Sequence, residues 1–336
     1  MAAQLLAARR NNETLLSGVV FKKTLGHYWV SVDGALVRCT LSSRLRKVLI
    51  YPFADTSSLH PRVQDVEEIR MADPVTIGDI VNFTPEGETG LIVEVHERTN
   101  ALVRRAAGPK PLEQVIVANI DQVVCVLAAA RPAPSWDLLD RYLVAAEASG
   151  LPAVVCITKT DLVEPAALAD EVRVYERIGY PVLLTSAANG AGIDQLRETL
   201  TGRASVLTGK SGVGKTSLLN AIQPGLGLRV NEVSSKTGKG KHTTTHLEMF
   251  ALGDGPGFGG SVVDTPGMRE FALWNVNDRE LASLFPEMEP YVGACRFGLS
   301  CSHHHEPGCA IKEAVAEGAI SARRHQSYLK LRKDYR

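Results

Sequence analysis

The sequence predicts a multidomain chain: a small N-terminal β-barrel, a central and mostly parallel α/β sheet, and a short helical C-terminal segment. Three observations carry this. Residues from about 14 to 108 alternate short apolar runs with turn residues. From about 115 to 285, continuous apolar runs alternate with helical stretches. From about 290 the chain turns basic and helix-rich and opens with three closely spaced cysteines.

In the first part, "SGVVFKKTLGHYWVSVDGALVRCTL" and "IGDIVNFTPEGETGLIVEVHERTNALVRR" are strand-like runs separated by Gly, Asp and Asn. Such spacing predicts a small closed or nearly closed barrel. The polar stretch 51–75 breaks the pattern and reads as an inserted loop or short helix. An oligonucleotide-binding (OB-like) barrel is one candidate; composition does not separate it from a barrel without a ligand. "GPKPLEQ" reads as the linker. In the central part, "QVIVANIDQVVCVLAAA", "PAVVCITKT", "PVLLTSA", "ASVLTGK" and "SVVDTPG" are strands apolar on both faces, with helices such as "WDLLDRYLVAAEAS" and "IDQLRETL" between them. That is the pattern of a parallel sheet covered by helices, whose ligands bind at the carboxyl ends of the strands. The expected divisions are 1–110, 111–285 and 286–336.

The 336 residues are enough for two or three domains with ample core. Their 45% hydrophobic and 22% charged content is that of an ordinary globular chain. No apolar run approaches a membrane span, and "MAAQLLAARR" is too short in its apolar part for a secretory signal, so a cytoplasmic location and no membrane partner are expected. Formal net charge is zero, yet residues 290–336 carry eight Lys/Arg against four Asp/Glu, and most histidines lie between 242 and 325. A basic end suits contact with a polyanion, although an excess this small also fits a solvated tail. Cys39, Cys125 and Cys156 fall within apparent strands and read as buried, inert thiols.

The central chemistry lies in "GKSGVGKTS": Gly209, Lys210, Ser211, Gly212, Val213, Gly214, Lys215, Thr216 and Ser217. A strand before and a helix after complete the context of a phosphate-binding loop, in which successive backbone N–H groups face the β-phosphate. Lys215 would reach the β/γ oxygens and the Thr216 hydroxyl would hold Mg²⁺. Asp264 and Gly267 in "DTPG" would serve the metal through water and the γ-phosphate. The base is read by "TKTD" and "TSA". Asp161 can accept from guanine N1–H and the 2-amino group, Lys159 can pack along the base, and Ser186 and Ala187 would support O6 through the Ala187 N–H. Adenine offers no matching donors, and a site dependent on such bonds rejects the wrong partner by on the order of 10⁴. Thr158 stands where GTPases usually carry Asn, keeping a hydroxyl but losing the amide. The order is also unusual: the base-reading motif precedes the phosphate loop, which relative to a standard GTPase is a circular permutation.

Cys295, Cys301, His303 and Cys309 offer three thiolates and an imidazole, a set suited to one structural, tetrahedral Zn²⁺. His304 and His305 are alternative nitrogen ligands. The competing reading is reduced cysteines beside a chance histidine run.

Permuted order, leading barrel and trailing Cys/His segment closely resemble the ribosome small subunit-dependent GTPase A family, from about residue 14 to the C-terminus. The points of resemblance are "QVIVANIDQVV", "DRYLVAAE", "GKSGVGKTSLLN", "GKGKHTTTH", "DTPGMREF" and "HEPGCAIKEAV". The resemblance implies a circularly permuted P-loop GTPase domain between an OB-like barrel and a helical zinc-binding domain. It implies GTP hydrolysis that times late maturation of the small (30S) ribosomal subunit, with that subunit and its rRNA as partners of a monomeric protein cycling between GTP and GDP. By the same similarity Thr244 completes the Mg²⁺ shell and His242 positions water, although His242 also fits an exposed switch residue without a catalytic part. Thr158, Thr216 in place of the commoner Ser, the five residues between the first two cysteines and the 51–75 insertion depart from the family pattern. Where Ras-like enzymes carry a water-orienting Gln, this chain has Met268, and no internal arginine finger is evident. The expected enzyme is therefore slow alone and accelerated by its partner. The alternative reading is an RNA-binding adaptor with a mainly structural guanine-nucleotide site; an ATP-driven P-loop machine is disfavoured by Asp161 and "TSA".

Overall fold

A computed structural model describes residues 15–24, 26–46, 74–105, 113–226, 248–253, 259–264 and 278–334. It divides into two compact units, one running to Asn119 with Glu248 and Met249, the other taking in the rest of the chain from Ile120 onwards.

The first unit is built from β1 (Leu16–Thr24), β2 (His27–Val32), β3 (Ala35–Leu41), a single helical turn α1 (Ser43–Arg46), β4 (Ile80–Glu86) and β5 (Thr89–Val95). Strand β1 pairs antiparallel with β2 and β4, β2 with β3, and β4 with β5, while β3 runs parallel to β5. The ring is thereby closed, which leaves no strand edge within it. Alternation drives closure: Tyr28, Val30 and Val32 point in while their neighbours are only half-buried. Val20, Val37, Phe83 and Ile92 join them in the core. Asp33 and Gly34, both at positive φ, make the tight β2–β3 turn. The barrel is narrow enough that a Cβ at Gly90 would collide with the Phe83 ring. Strands β6 (Ala101–Arg105) and β7 (Glu113–Ala118) form a separate antiparallel ribbon. Most of the inserted stretch, 51–73, lies outside the described residues.

The second unit holds β8 (Gln122–Ala128), α2 (Trp136–Ala148), β9 (Ala153–Thr158), α3 (Ala166–Ile178), β10 (Val182–Leu184), α4 (Ile193–Leu200), β11 (Ala204–Thr208), α5 (Lys215–Ile222), the part of β12 (Glu248–Leu252) from Phe250 onwards, and β13 (Gly260–Asp264). Strand order is β10-β9-β8-β11-β13, every neighbouring pair parallel. Both β8 and β9 are buried at every residue, as a sheet covered on two faces requires. Val124, Val126, Cys156, Leu207 and Val262 of the strands pack with Leu196, Leu200, Leu218 and Leu219 of the helices. Cys39, Cys125 and Cys156 are buried free thiols, as the sequence suggested.

The same unit ends in short 3₁₀ turns, then α6 (Ala310–Ala316) and α7 (Ala322–Asp334). A buried ionic cluster fastens α7 to α2 and α3. Arg324 donates to Asp140 (2.7 Å) and, through two nitrogens, to Glu287 (2.6 and 3.0 Å). Arg323 donates to the other Asp140 oxygen (2.7 Å), to Glu171 (2.7 Å) and to the Tyr175 hydroxyl (3.0 Å), which itself donates to Asp140 (2.7 Å). Arg324 and Asp140 are both fully buried. The Arg324 guanidinium also lies 4.6 Å from the centre of the Phe285 ring.

A candidate guanine-nucleotide site and a candidate metal centre

Every motif singled out in the central domain and lying within the described residues emerges at a carboxyl end of the parallel sheet. "TSA" follows β10, "TKTD" ends β9, the phosphate loop follows β11 and Asp264 ends β13. In spatial order the base-reading strands lie on one side of the phosphate-loop strand and Asp264 on the other, so the sheet assembles what the chain order separates.

The phosphate loop runs from Gly209 to the first turn of α5. Gly212 and Gly214 adopt φ of +83° and +103°, a region open to glycine at little cost. A Cβ at Gly209 would strike the Val126 carbonyl of β8, so the loop can start where it does only without a side chain. Val213 is buried beneath the loop, while Thr216 and Ser217 are half-buried in α5 and Lys210 is exposed. Lys215 is buried, and its Nζ donates to the Gly209 carbonyl at 2.7 Å. Burial lowers its pKa, and the nearby Asp264 carboxylate pulls the other way. Burial raises the pKa of Asp264, opposed by Lys215. One Asp264 oxygen, Oδ1, is shielded from solvent with no hydrogen-bond partner. A buried carboxylate with an unpartnered oxygen, close to the phosphate-loop Lys215, fits a hydrated cation such as Mg²⁺.

Two side chains stitch the base-reading motif to this loop. The buried Thr158 hydroxyl donates to the Val213 carbonyl, and Lys159 Nζ donates to the Gly212 carbonyl at 2.7 Å and to that of Arg131. Lys159 itself takes φ +57°, which turns the chain out of β9. Burial lowers its pKa, offset in part by Asp161. Asp161 is exposed and accepts from Ser186 Oγ at 2.5 Å. The Ser186 oxygen in turn accepts the backbone N–H groups of Ala188 and Asn189, in a turn that leaves Ala187 exposed. Thr160 donates twice to the Thr185 carbonyl, closing "TKTD" onto "TSA".

The sequence reading paired Ser186 with the base; the structure adds its bond to Asp161, which pattern alone does not reveal. It also missed the Asp140–Arg323–Arg324 cluster, although an Asp inside an apolar helix and an adjacent Arg pair near the C-terminus were visible signals. His242, Thr244, Gly267 and Met268 lie outside the described residues.

The metal centre is compact. Cys295, Cys301, His303 and Cys309 are all buried, with ligand atoms within 4.8 Å of one another. Cys295 Sγ lies 3.8 Å from Cys309 Sγ and 3.5 Å from His303 Nδ1, and Cys309 Sγ lies 3.4 Å from that nitrogen. A tetrahedron with Zn–S of about 2.3 Å and Zn–N of about 2.0–2.1 Å has edges of about 3.8 and 3.5 Å, so Cys295, His303 and Cys309 already sit at zinc's spacing, with Cys301 close by. Burial pushes the Cys309 thiol up to about 12 and the Cys301 thiol upward as well. Thiolates crowded this way call for a cation. The alternatives His304 and His305 point elsewhere: both are exposed, and Glu306 holds their backbone N–H groups at 3.0 and 3.1 Å.

Comparison with known proteins agrees with this geometry. The family model described as RsgA GTPase matches residues 95–274. The small ribosomal subunit biogenesis GTPase RsgA of Gemmatimonas aurantiaca is 46% identical over 261 residues, 77% of this chain and 83% of the relative. The protein of that name from Chlorobaculum tepidum is 41% identical over 326 residues, covering 94% and 97%. Among solved structures, YjeQ from Thermotoga maritima superposes with a TM-score of 0.70 at 32% identity, over 96% of this chain and 98% of that one. YloQ, a circularly permuted GTPase, gives 0.65 at 28% identity over 97% and 96%. The chain belongs to the RsgA GTPase family.

Proposed function

We propose that the protein binds GTP between its phosphate loop and its guanine-reading motif, hydrolyses it with Mg²⁺, and uses the cycle to time a late step in maturation of the small ribosomal subunit. The observation that carries the reading is the double tie from Thr158 and Lys159 to Val213 and Gly212. It holds the base-reading and phosphate-reading halves in one frame despite their reversed order. Relatives that align along most of this chain are named for biogenesis of that subunit.

In this reading Asp161, oriented by Ser186, accepts the two guanine donors, while the Ala187 N–H meets O6. Backbone N–H groups from Gly209 to Ser217 surround the phosphates. Lys215, already withdrawn from water, gives its charge to the β/γ oxygens, where negative charge must be balanced as the bond to the γ-phosphoryl breaks. Thr216 and Thr244 would hold Mg²⁺, with Asp264 reaching it through water; the ion, when bound, neutralises charge across the β- and γ-phosphates. Gly267 faces the γ-phosphate and His242 positions the attacking water. One structural Zn²⁺ held by Cys295, Cys301, His303 and Cys309 stabilises the C-terminal segment, with no open position for catalysis. Among the described residues no helix is long and apolar enough to cross a membrane. We place the protein in the cytoplasm as a monomer that contacts the subunit's rRNA.

The test is competition among nucleotides followed by turnover with isolated small subunits. Tight GDP with weak ADP, and GTP turnover raised by small subunits, support the reading. Tight GDP with no turnover under either condition would favour an adaptor with a structural nucleotide site.

A further inference from the structure

We infer that Glu306, which is not one of the four metal donors, is the positioning residue that holds Cys301 and His303 in ligating geometry. The inference rests on the zinc reading of the Cys/His set and adds a residue to it. The contacts converge on one carboxylate. Its Oε1 accepts the Ser302 N–H at 3.0 Å and the Ser302 hydroxyl, and its Oε2 accepts the N–H groups of His304 and His305 at 3.0 and 3.1 Å. The Ser302 N–H belongs to the peptide group that leaves Cys301, and the His304 N–H to the one that leaves His303. A single side chain thereby fixes the main chain at both ligands. Burial opposes the charge on Glu306, yet the bonds from Ser302 and the loop N–H groups outweigh it and hold its pKa well below the usual carboxylate range. Hydrogen bonds to an ionised acceptor are the stronger kind.

His303 shows why such support matters. Its backbone takes φ +57°, a region costly to a residue with a Cβ and kept only where the surroundings enforce it. Its Nδ1, the ring nitrogen nearer the main chain, faces the sulfurs of Cys295 and Cys309 at 3.5 and 3.4 Å. A ligand reaching through that nitrogen has little slack, so a shift of the main chain passes directly to the metal. Helix α7 holds the opposite edge of the same loop. The His303 carbonyl lies 2.8 Å from His325 Nε2, and the Ser302 carbonyl accepts from the Tyr328 hydroxyl at 3.2 Å and Arg332 Nη1 at 2.9 Å. With its N–H groups on Glu306 and its carbonyls on α7, the loop is shaped before the ion arrives. Partners that orient metal ligands in this way are worth about 10–100-fold in metal affinity.

The test uses the full chain with Glu306→Gln, Glu306→Ala and, as a control for net charge, Glu317→Gln at an exposed position just after α6. Zn²⁺ affinity is measured by competition with a chromophoric chelator. Co²⁺ is then loaded in its place, so that the visible absorption reports ligand number and geometry. Gln keeps one acceptor oxygen but turns an amide N–H₂ toward the other pair of donors, and Ala removes both acceptors. Zn²⁺ affinity should fall by about 10–100-fold in both, with GDP affinity unchanged and the Glu317→Gln control like the parent. The sulfur-to-cobalt band should keep the intensity of three thiolates while the weaker d–d bands shift as the tetrahedron distorts. Unchanged Zn²⁺ affinity in both Glu306 variants would overturn the inference, as would an equal fall in Glu317→Gln. So would a fall in GDP affinity in step with that for Zn²⁺, which marks a general loss of fold. A parent chain that takes up no Zn²⁺ would sink the metal reading itself, and this inference with it.

Discussion

At Thr158 a hydroxyl stands where GTPases usually place an amide, and it donates to the Val213 carbonyl of the phosphate loop. Thr158→Val keeps the shape but leaves that buried carbonyl unpaired, a loss of about 1–3 kcal/mol. Felt wholly in the bound state, this weakens GDP binding roughly 5- to 150-fold. Thr158→Ser restores most of it, and GDP titration of the three proteins is the check. Asp161 tests the base itself. Asp161→Asn exchanges two acceptors for an amide that can donate, which suits the 2-oxo group of xanthine. Guanine affinity should fall by up to about 10⁴-fold while xanthosine diphosphate binding appears, measured by competition. An unchanged preference for GDP would mean that Asp161 does not read the base.

The C-terminal helices are held at two points, each with its own prediction. Arg324 is fully buried between Asp140 and Glu287. Arg324→Met leaves the Glu287 carboxylate without its cation and Asp140 with Arg323 alone, and should cost about 3–5 kcal/mol, read as a lower denaturation midpoint with GDP affinity in the folded state largely kept. At the metal centre, burial raises the Cys301 and Cys309 thiols in metal-free protein. A thiol raised above its unfolded pKa stabilises the fold below about pH 8.5, and that contribution fades as pH climbs. Zinc replaces those protons, so the difference in Tm between zinc-loaded and chelated protein should widen with rising pH; a constant difference would argue against thiolate ligation. These two elements also show where sequence stops being legible. Cys295, Cys301, His303 and Cys309 were readable because ligand chemistry restricts residue type and spacing. The pairing of Asp140 with Arg324 was not, because each residue stands out alone but partners 184 residues apart share no local pattern.

Across the whole molecule the same contrast holds. The barrel was legible from strand-like runs punctuated by Gly, Asp and Asn, and the sheet from doubly apolar strands, because turn chemistry and burial both act on short segments. Strand order was not, since the placement of β11 between β8 and β13 depends on pairings far apart in sequence. It is this order that makes the reversed motifs converge: "TKTD" arrives early in the chain yet ends beside the loop that arrives late. On the proposed reading, this reassembled site is a working GTPase that depends on its partner. The most direct test is steady-state GTP turnover by the zinc-loaded protein with and without isolated small ribosomal subunits, with Lys215→Ala as the inactive control. Low turnover alone, rising by a factor on the order of 10² or more with small subunits and absent in the Lys215→Ala protein, is the predicted result. Turnover equal with and without subunits would contradict it.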